Sequence, residues 1–108
     1  MIRRGQVHWV EFGGARGRRP GLVVSNDRAN SGHSVVIVAP ITNTIPAARY
    51  PSLLRFDELS HPGPVTGCVR FDALQAVPRS DVDPDPYHVL VGSDLAAADA
   101  CLRDALGL

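Results

Sequence analysis

Apolar residues fall along this chain in short runs separated by glycine, proline and asparagine, a spacing that predicts strands more than helices. Residues 5–12, Gly-Gln-Val-His-Trp-Val-Glu-Phe, are rich in strand formers. Val7 and Trp9 share one side there, while Val10 and Phe12 disturb strict alternation. Residues 13–18, Gly-Gly-Ala-Arg-Gly-Arg, predict a flexible basic loop, and 19–25 a second strand around Leu22-Val23-Val24. The run Asn26-Asp27-Arg28-Ala29-Asn30-Ser31-Gly32 is dense in turn formers. Residues 33–42 are the strongest strand, and the unbroken Val35-Val36-Ile37-Val38-Ala39 predicts burial on both faces.

The middle is cut short by Pro46, Pro51, Pro62 and Pro64, leaving weaker strands near 52–57, 65–71 and 73–78. Residues 79–86 form an acidic loop with Asp81, Asp83 and Asp85, lacking the glycine and distal glutamate of a calcium-binding loop. One helix is predicted, at the C-terminus. Ser93 is its expected N-cap, Asp94 suits the first turn, and Gly107 supplies the stop. Leu95, Ala98, Leu102 and Leu106 fall on one face. A helix of about thirteen residues is marginal alone, so that face must pack on the sheet or on a second subunit. No internal repeat is expected, and residues 1–108 read as one domain, α+β or a small barrel.

Composition narrows the class. An apolar content of 44% suits a globular fold, and no apolar run approaches the roughly eighteen residues a membrane span needs. The opening Met1-Ile2-Arg3-Arg4-Gly5 lacks the apolar core of a signal peptide, which predicts a cytoplasmic protein. Cys68 and Cys101 sit in no metal-ligand spacing and read as reduced, packed thiols; no metal and no cofactor is expected. The net charge of zero hides an asymmetry. Residues 1–55 carry eight Arg against Glu11 and Asp27, while 56–108 carry three Arg against nine acids. With no Lys at all, the cationic half is compatible with a phosphate-rich partner, although a bias in base composition would also favour Arg.

If 19–25 and 33–42 form a hairpin, opposed positions sum to about 59, or about 61 for an asymmetric turn. Arg19 then lies opposite residues 40–42, where it can meet Thr42 beside the 13–18 loop. An Arg fork and a hydroxyl converging under a basic loop make a phosphate-binding pair. On spacing alone a second reading stands beside it, in which Arg19 caps the strand and Thr42 makes a turn hydrogen bond.

Gly-Arg-Arg-Pro-Gly-Leu-Val-Val-Ser-Asn-Asp (17–27) followed by Val-Ile-Val-Ala-Pro-Ile-Thr-Asn (36–43) resembles the signature of the MazF/PemK family of toxin endoribonucleases. Arg4-Gly5, Trp9-Val10 and Phe12 are similar to that family's first strand, Asp72–Arg79 more weakly to a later one, and Leu102–Leu108 to its last helix. The resemblance implies a mainly β fold, an SH3-like barrel of the CcdB/MazF type with a C-terminal helix, acting as a homodimer. It implies metal-independent, sequence-specific cleavage of single-stranded RNA, with an acidic MazE-like antitoxin as inhibitor. The family's catalytic Arg falls on Arg19 and its catalytic Ser/Thr on Thr42; RNA contacts extend to Arg16, Arg18, Asn26, Asn43 and Gln75. No role carries over to His8, His33, His61 or His88.

Three departures stand out. The loop between Phe12 and Arg19 is several residues shorter than is usual in the family. A frequent family Arg is Gln75 here, and a frequent Ser is Gly67. The alternative from another class is a non-enzymatic CcdB-like toxin that binds DNA gyrase, which Arg19-Pro20 and Pro40-Ile41-Thr42 weigh against.

Overall fold

The computed structural model describes residues 1–108. Strands β1 (Gln6–Glu11), β2 (Arg18–Val23) and β3 (Val35–Thr42) run antiparallel side by side. The short strands β4 (Leu54–Arg55), β5 (Cys68–Val69), β6 (Gln75–Pro78) and β7 (His88–Val89) complete one sheet. Its order is β4-β5-β3-β2-β1-β7, with β6 also pairing β3. Helix α1 (Asp27–Gly32) joins β2 to β3, and helix α2 (Gly92–Leu106) ends the chain.

The sheet curls into a half-barrel because the chain after β6 crosses from the edge of β3 to the edge of β1. There Val82 bridges Val10, the Asp83 amide donates to the Trp9 carbonyl at 2.8 Å, and Tyr87 donates to Val7 at 2.7 Å. The curl separates two apolar clusters. Val7, Leu22, Ala39, Ile41, Phe56 and Phe71 fill one, beneath α2; Val10, Phe12, Val23, Val36, Val38 and Val77 fill the other. Val10 and Phe12 break alternation because β1 is buried on both sides. The same holds for only part of β3: Val36 and Val38 face one cluster and Ala39 and Ile41 the other, while Val35 and Ile37 stay 42% and 41% exposed.

The paired positions of β2 and β3 sum to 61, the asymmetric case: Gly21 with Pro40, Leu22 with Ala39, Val23 with Val38. The connection is a short helix where the composition predicted a turn. Asn26 Oδ1 accepts the Ala29 amide at 2.8 Å, and buried Asn30 donates to the Ser25 carbonyl at 2.9 Å, so the turn formers act as caps. Both cysteines are free and buried, and burial pushes their thiols up.

The chain also carries a repeat that its pattern did not suggest. Arg55-Phe56-Asp57 and Arg70-Phe71-Asp72 each follow a short strand, bury the Phe and pair the Arg with its own i+2 Asp through two nitrogens, at 3.1 and 2.7 Å and at 2.8 and 2.8 Å.

Ser93 is not the N-cap of α2. Val91 holds that place without a side-chain cap, and Ser93 lies inside the helix. Ala98 and Cys101 are buried and Leu95 and Leu102 partly so, but Leu106 is 52% exposed, since the sheet ends before the last turn. Gly107, at φ 71°, closes the helix as anticipated. Asp94 does more than face the helix dipole. It is buried and accepts the amides of Ser60 and His61, each at 2.8 Å, fastening α2 to the segment after β4.

Burial alone would raise the Asp94 carboxyl, but these two donors, with His61 and His88 nearby, outweigh it and hold the carboxyl below its usual range. Its stabilising effect is therefore full above the unfolded value of about 4 and is lost as pH falls through the lower folded value. Asp94→Asn is expected to flatten the acid limb of stability. Urea melts between about pH 2.5 and 7 test this: a limb as steep as wild type would refute the assignment.

Candidate active site

Past Gly21 and Pro40, β2 and β3 part. Ladder pairing between them stops there, and β3 instead pairs its last residues with β5, Ile41 to Val69 and Thr42 to Cys68. Pro20 and Pro40 each withhold a ladder N–H at the point of separation. The gap opens a cleft of about 470 Å³. Arg18, Arg19 and Pro20 line it from β2, and Ile41 through Thr44 from the end of β3. Trp9 and Tyr87 form a wall, with Pro64, Val65 and Thr66 opposite.

The observed register extends to place Arg19 across from Thr42, and both line this cleft. Arg19 Nε donates to the Arg16 carbonyl at 3.0 Å, which aims the fork, and Arg19 forms no ion pair. Its terminal nitrogens are free for a ligand. Thr42 Oγ1 accepts the Thr44 amide at 3.2 Å, leaving its own proton available to donate. Arg18 is held differently: it stacks on Trp9 at 5.6 Å and pairs with Asp83 at 3.2 Å and Glu11 at 3.8 Å. Trp9 and Tyr87 pack at 5.4 Å with a 56° tilt, and Tyr87 donates to the Pro64 carbonyl at 3.3 Å.

The remaining sequence candidates divide. Asn43 lines the cleft and accepts a bond from the Thr66 hydroxyl at 2.8 Å. Arg16 lies outside the lining and contributes its carbonyl to Arg19. Asn26 is the cap of α1 and lies outside the cleft. Gln75 also lies outside, where its Nε2 donates to the Phe12 carbonyl at 3.3 Å and ties β6 to the β1 end. None of the four histidines lines the cleft. His8 is buried, its Nδ1 at 2.7 Å from the Asp83 carbonyl and its Nε2 at 2.7 Å from Gln6, and burial pushes its pKa down. Tyr87 carried no signal in the pattern, and Thr66 fell in the weak strand expected over 65–71, which the structure narrows to Cys68–Val69, leaving Thr66 in the loop before it.

The eight Arg of the first half do not form one cationic surface. Arg4 pairs with Asp99, Arg18 with Asp83, Arg49 with Glu58 and Arg55 with Asp57, so acids of the second half neutralise them. Arg19 stands out as the unpaired cation inside the cleft.

A family model for PemK-like, MazF-like toxins of type II toxin–antitoxin systems matches residues 3–106. The chain belongs to that family. It is 44% identical over 61 residues to the endoribonuclease MazF9 of Mycobacterium tuberculosis; the match covers 47% of this chain and spans about half, 51%, of that relative. A mycobacterial endoribonuclease solved in complex with its cognate antitoxin superposes with a TM-score of 0.83 at 25% identity, covering 100% of this chain and 97% of that one. MazF of Deinococcus radiodurans superposes at 0.75, also at 25% identity, covering 99% and 97%. The mainly β half-barrel with a C-terminal helix is thus the fold of the MazF toxins.

Gly67, where the family often has Ser, packs directly on Thr42. At φ +89° it occupies the left-handed region, and a Cβ added there would lie 2.0 Å from the Thr42 carbonyl oxygen. No side chain fits unless β3 moves. Gly67→Ala is expected to destabilise the fold by at least about 1–3 kcal/mol and to shift the Thr42 amide resonance. A thermal melt and an amide correlation spectrum check both; an unchanged Thr42 environment would count against the contact.

Proposed function

We propose that this chain is the toxin of a type II toxin–antitoxin pair and an endoribonuclease that cuts single-stranded RNA without a metal. The observation that supports this most is the unpaired Arg19 guanidinium in one cleft with Thr42. The 2′-hydroxyl attacks the adjacent phosphorus, the P–O5′ bond breaks, and the products carry a 2′,3′-cyclic phosphate and a 5′-hydroxyl. Charge grows on the nonbridging oxygens as the bond order changes, so donors aimed there lower the barrier. Arg19 supplies a permanent charge and two parallel N–H groups, and Thr42 a further hydroxyl donor. The lining holds no imidazole and no carboxylate, so stabilisation of developing charge is the main contribution from side chains.

The neighbouring groups suit a nucleotide strand. Trp9 and Tyr87 offer aromatic surface beside the phosphate position, and Arg18 is a second cation, released if a phosphate replaces Asp83. The short 13–18 loop folds back on itself, Phe12 donating to Gly17 at 2.9 Å, and only its last residue, Arg18, lines the cleft. A related mycobacterial endoribonuclease is solved with its cognate antitoxin, and MazF of Deinococcus radiodurans with MazE. We carry that partnership over: an acidic antitoxin segment enters the same cleft and competes with RNA. Homodimeric assembly and a cytoplasmic location complete the reading; no helix is long and apolar enough to cross a membrane. The CcdB-like alternative is not favoured, since its gyrase contact does not call for an Arg–Thr phosphate pair.

Cutting of labelled RNA by the purified chain in EDTA tests the reading. Arg19→Ala and Thr42→Ala are each expected to slow cutting by about 10²–10³-fold with unchanged circular dichroism. Intact RNA at high protein excess across varied sequences, or full activity in both variants, would overturn it. Trp9 is the sole tryptophan and lines the cleft. Its fluorescence is expected to change when RNA binds, and an excess of antitoxin to reverse the change; simultaneous binding of both would contradict the shared cleft.

A further inference from the structure

A second cleft of about 490 Å³ adjoins the first, and the two share Asn43, Val65 and Thr66. Their linings differ in charge. The first contains Arg18 and Arg19; the second contains no cation and includes the carboxylate of Asp57. A phosphate belongs in the first; the second offers it no cation, and its one carboxylate, Asp57, is already paired with Arg55, so it suits an uncharged group such as a nucleobase.

The divide between them is built firmly. Asn43 directly follows Thr42, whose hydroxyl holds the Thr44 amide. Gly67 directly follows Thr66 and presses on the Thr42 carbonyl. The Phe56 amide donates to the Gly67 carbonyl at 3.0 Å, fixing that segment from the other side. A group held on this divide is therefore positioned relative to the Arg19–Thr42 pair. Across it, the Thr66 hydroxyl donates to Asn43 Oδ1 at 2.8 Å. That bond turns the amide oxygen toward Thr66 and leaves both Nδ2 protons to be offered to a ligand on the other side.

We propose that the second cleft holds the base next to the scissile phosphate, and that Asn43, oriented by Thr66, reads it. This rests on the endoribonuclease reading and goes further, to sequence choice. With its oxygen turned to Thr66, the Asn43 amide points its donors at the base. It favours a base with a carbonyl at the pyrimidine C4 or purine C6 position, uracil O4 or guanine O6, over one with an amino group there, cytosine N4 or adenine N6. Single-stranded RNA makes these edges available because its bases can splay out of the stack. Asn43 touches the base; Thr66 is a positioning residue.

The test is cleavage of a randomised RNA pool by the full chain, with sequencing of the new ends. The readout is the ratio of keto to amino bases at the nucleotides flanking the cut, independent of total rate. Wild type is expected to favour keto bases at one flank by roughly ten-fold. Thr66→Val removes the hydroxyl, frees the amide to turn over, and should bring that ratio close to one; Thr66→Ser, which keeps the hydroxyl, should restore it. Asn43→Ala should also lose the preference. A Thr66→Val protein that keeps the wild-type ratio overturns the proposal, as does a wild type with no keto preference at either flank. A wild type that cuts no RNA at all removes the nuclease reading and this one together, so the two failures are told apart.

Discussion

The parting of β2 and β3 beyond Gly21 and Pro40 is the constraint on which the site depends. Had the ladder continued, Arg19 and Thr42 would be ordinary neighbours on a closed sheet, with no volume between them for a ligand. Because β3 turns its last residues to β5, the backbone hydrogen bonds of Ile41 and Thr42 are met on the other edge, and the side facing β2 can open. Few unsatisfied backbone groups are then needed to form a cleft, which is the usual difficulty in opening one at a sheet end. Gly67 completes the arrangement, since β5 can approach Thr42 closely enough only with no Cβ at that position.

Much of this was legible in the sequence, for reasons that differ along the chain. The long strands were visible because β-branched runs and period-two burial leave strong patterns, and the register of 61 lay within the range that hairpin arithmetic allowed. The same arithmetic could not see that the ladder stops two pairs short of Arg19. Helix α1 was missed as a helix because Asn26, Asp27 and Asn30 serve turns and caps equally well, and tertiary bonds from the Arg4 amide to Asp27 and from Arg79 to the Asn30 carbonyl decide between them. Strand β7 has only two residues between prolines and a glycine, too short for any periodic signal.

The site residues divide along the same line. Arg19, Thr42 and Asn43 sit on or beside strong strands, so a motif and a register suffice to bring them together. Asn26 and Gln75 also lie near strong motifs, yet their side chains are engaged in capping α1 and in tying β6 to β1. A position that matches a motif is thus not committed to the ligand; what its polar atoms already bond decides. Tyr87 and Thr66 show the converse, reaching the cleft from loops where no motif marks a ligand contact.

Charge follows the same accounting at larger scale. The first half of the chain is rich in Arg and the second in acid, which suggested a cationic surface facing a polyanion. Four of the eight Arg find carboxylates: Arg4 and Arg18 across the fold, Arg49 and Arg55 on acids close by in the chain. Exposed pairs of this kind contribute little to stability, typically about 0–1 kcal/mol. Their larger effect is on the field: they take four cations out of competition, while Arg19 stays uncompensated inside the cleft where the strands part. Nor is Arg19 free to collapse onto a carboxylate of its own, because its Nε is held by the Arg16 carbonyl, a neutral acceptor that orients the fork without quenching its charge. An anion entering the cleft therefore meets a cation already aimed and not yet neutralised. In a chain of zero net charge, that local imbalance is what draws a phosphate to the cleft in the proposed reading.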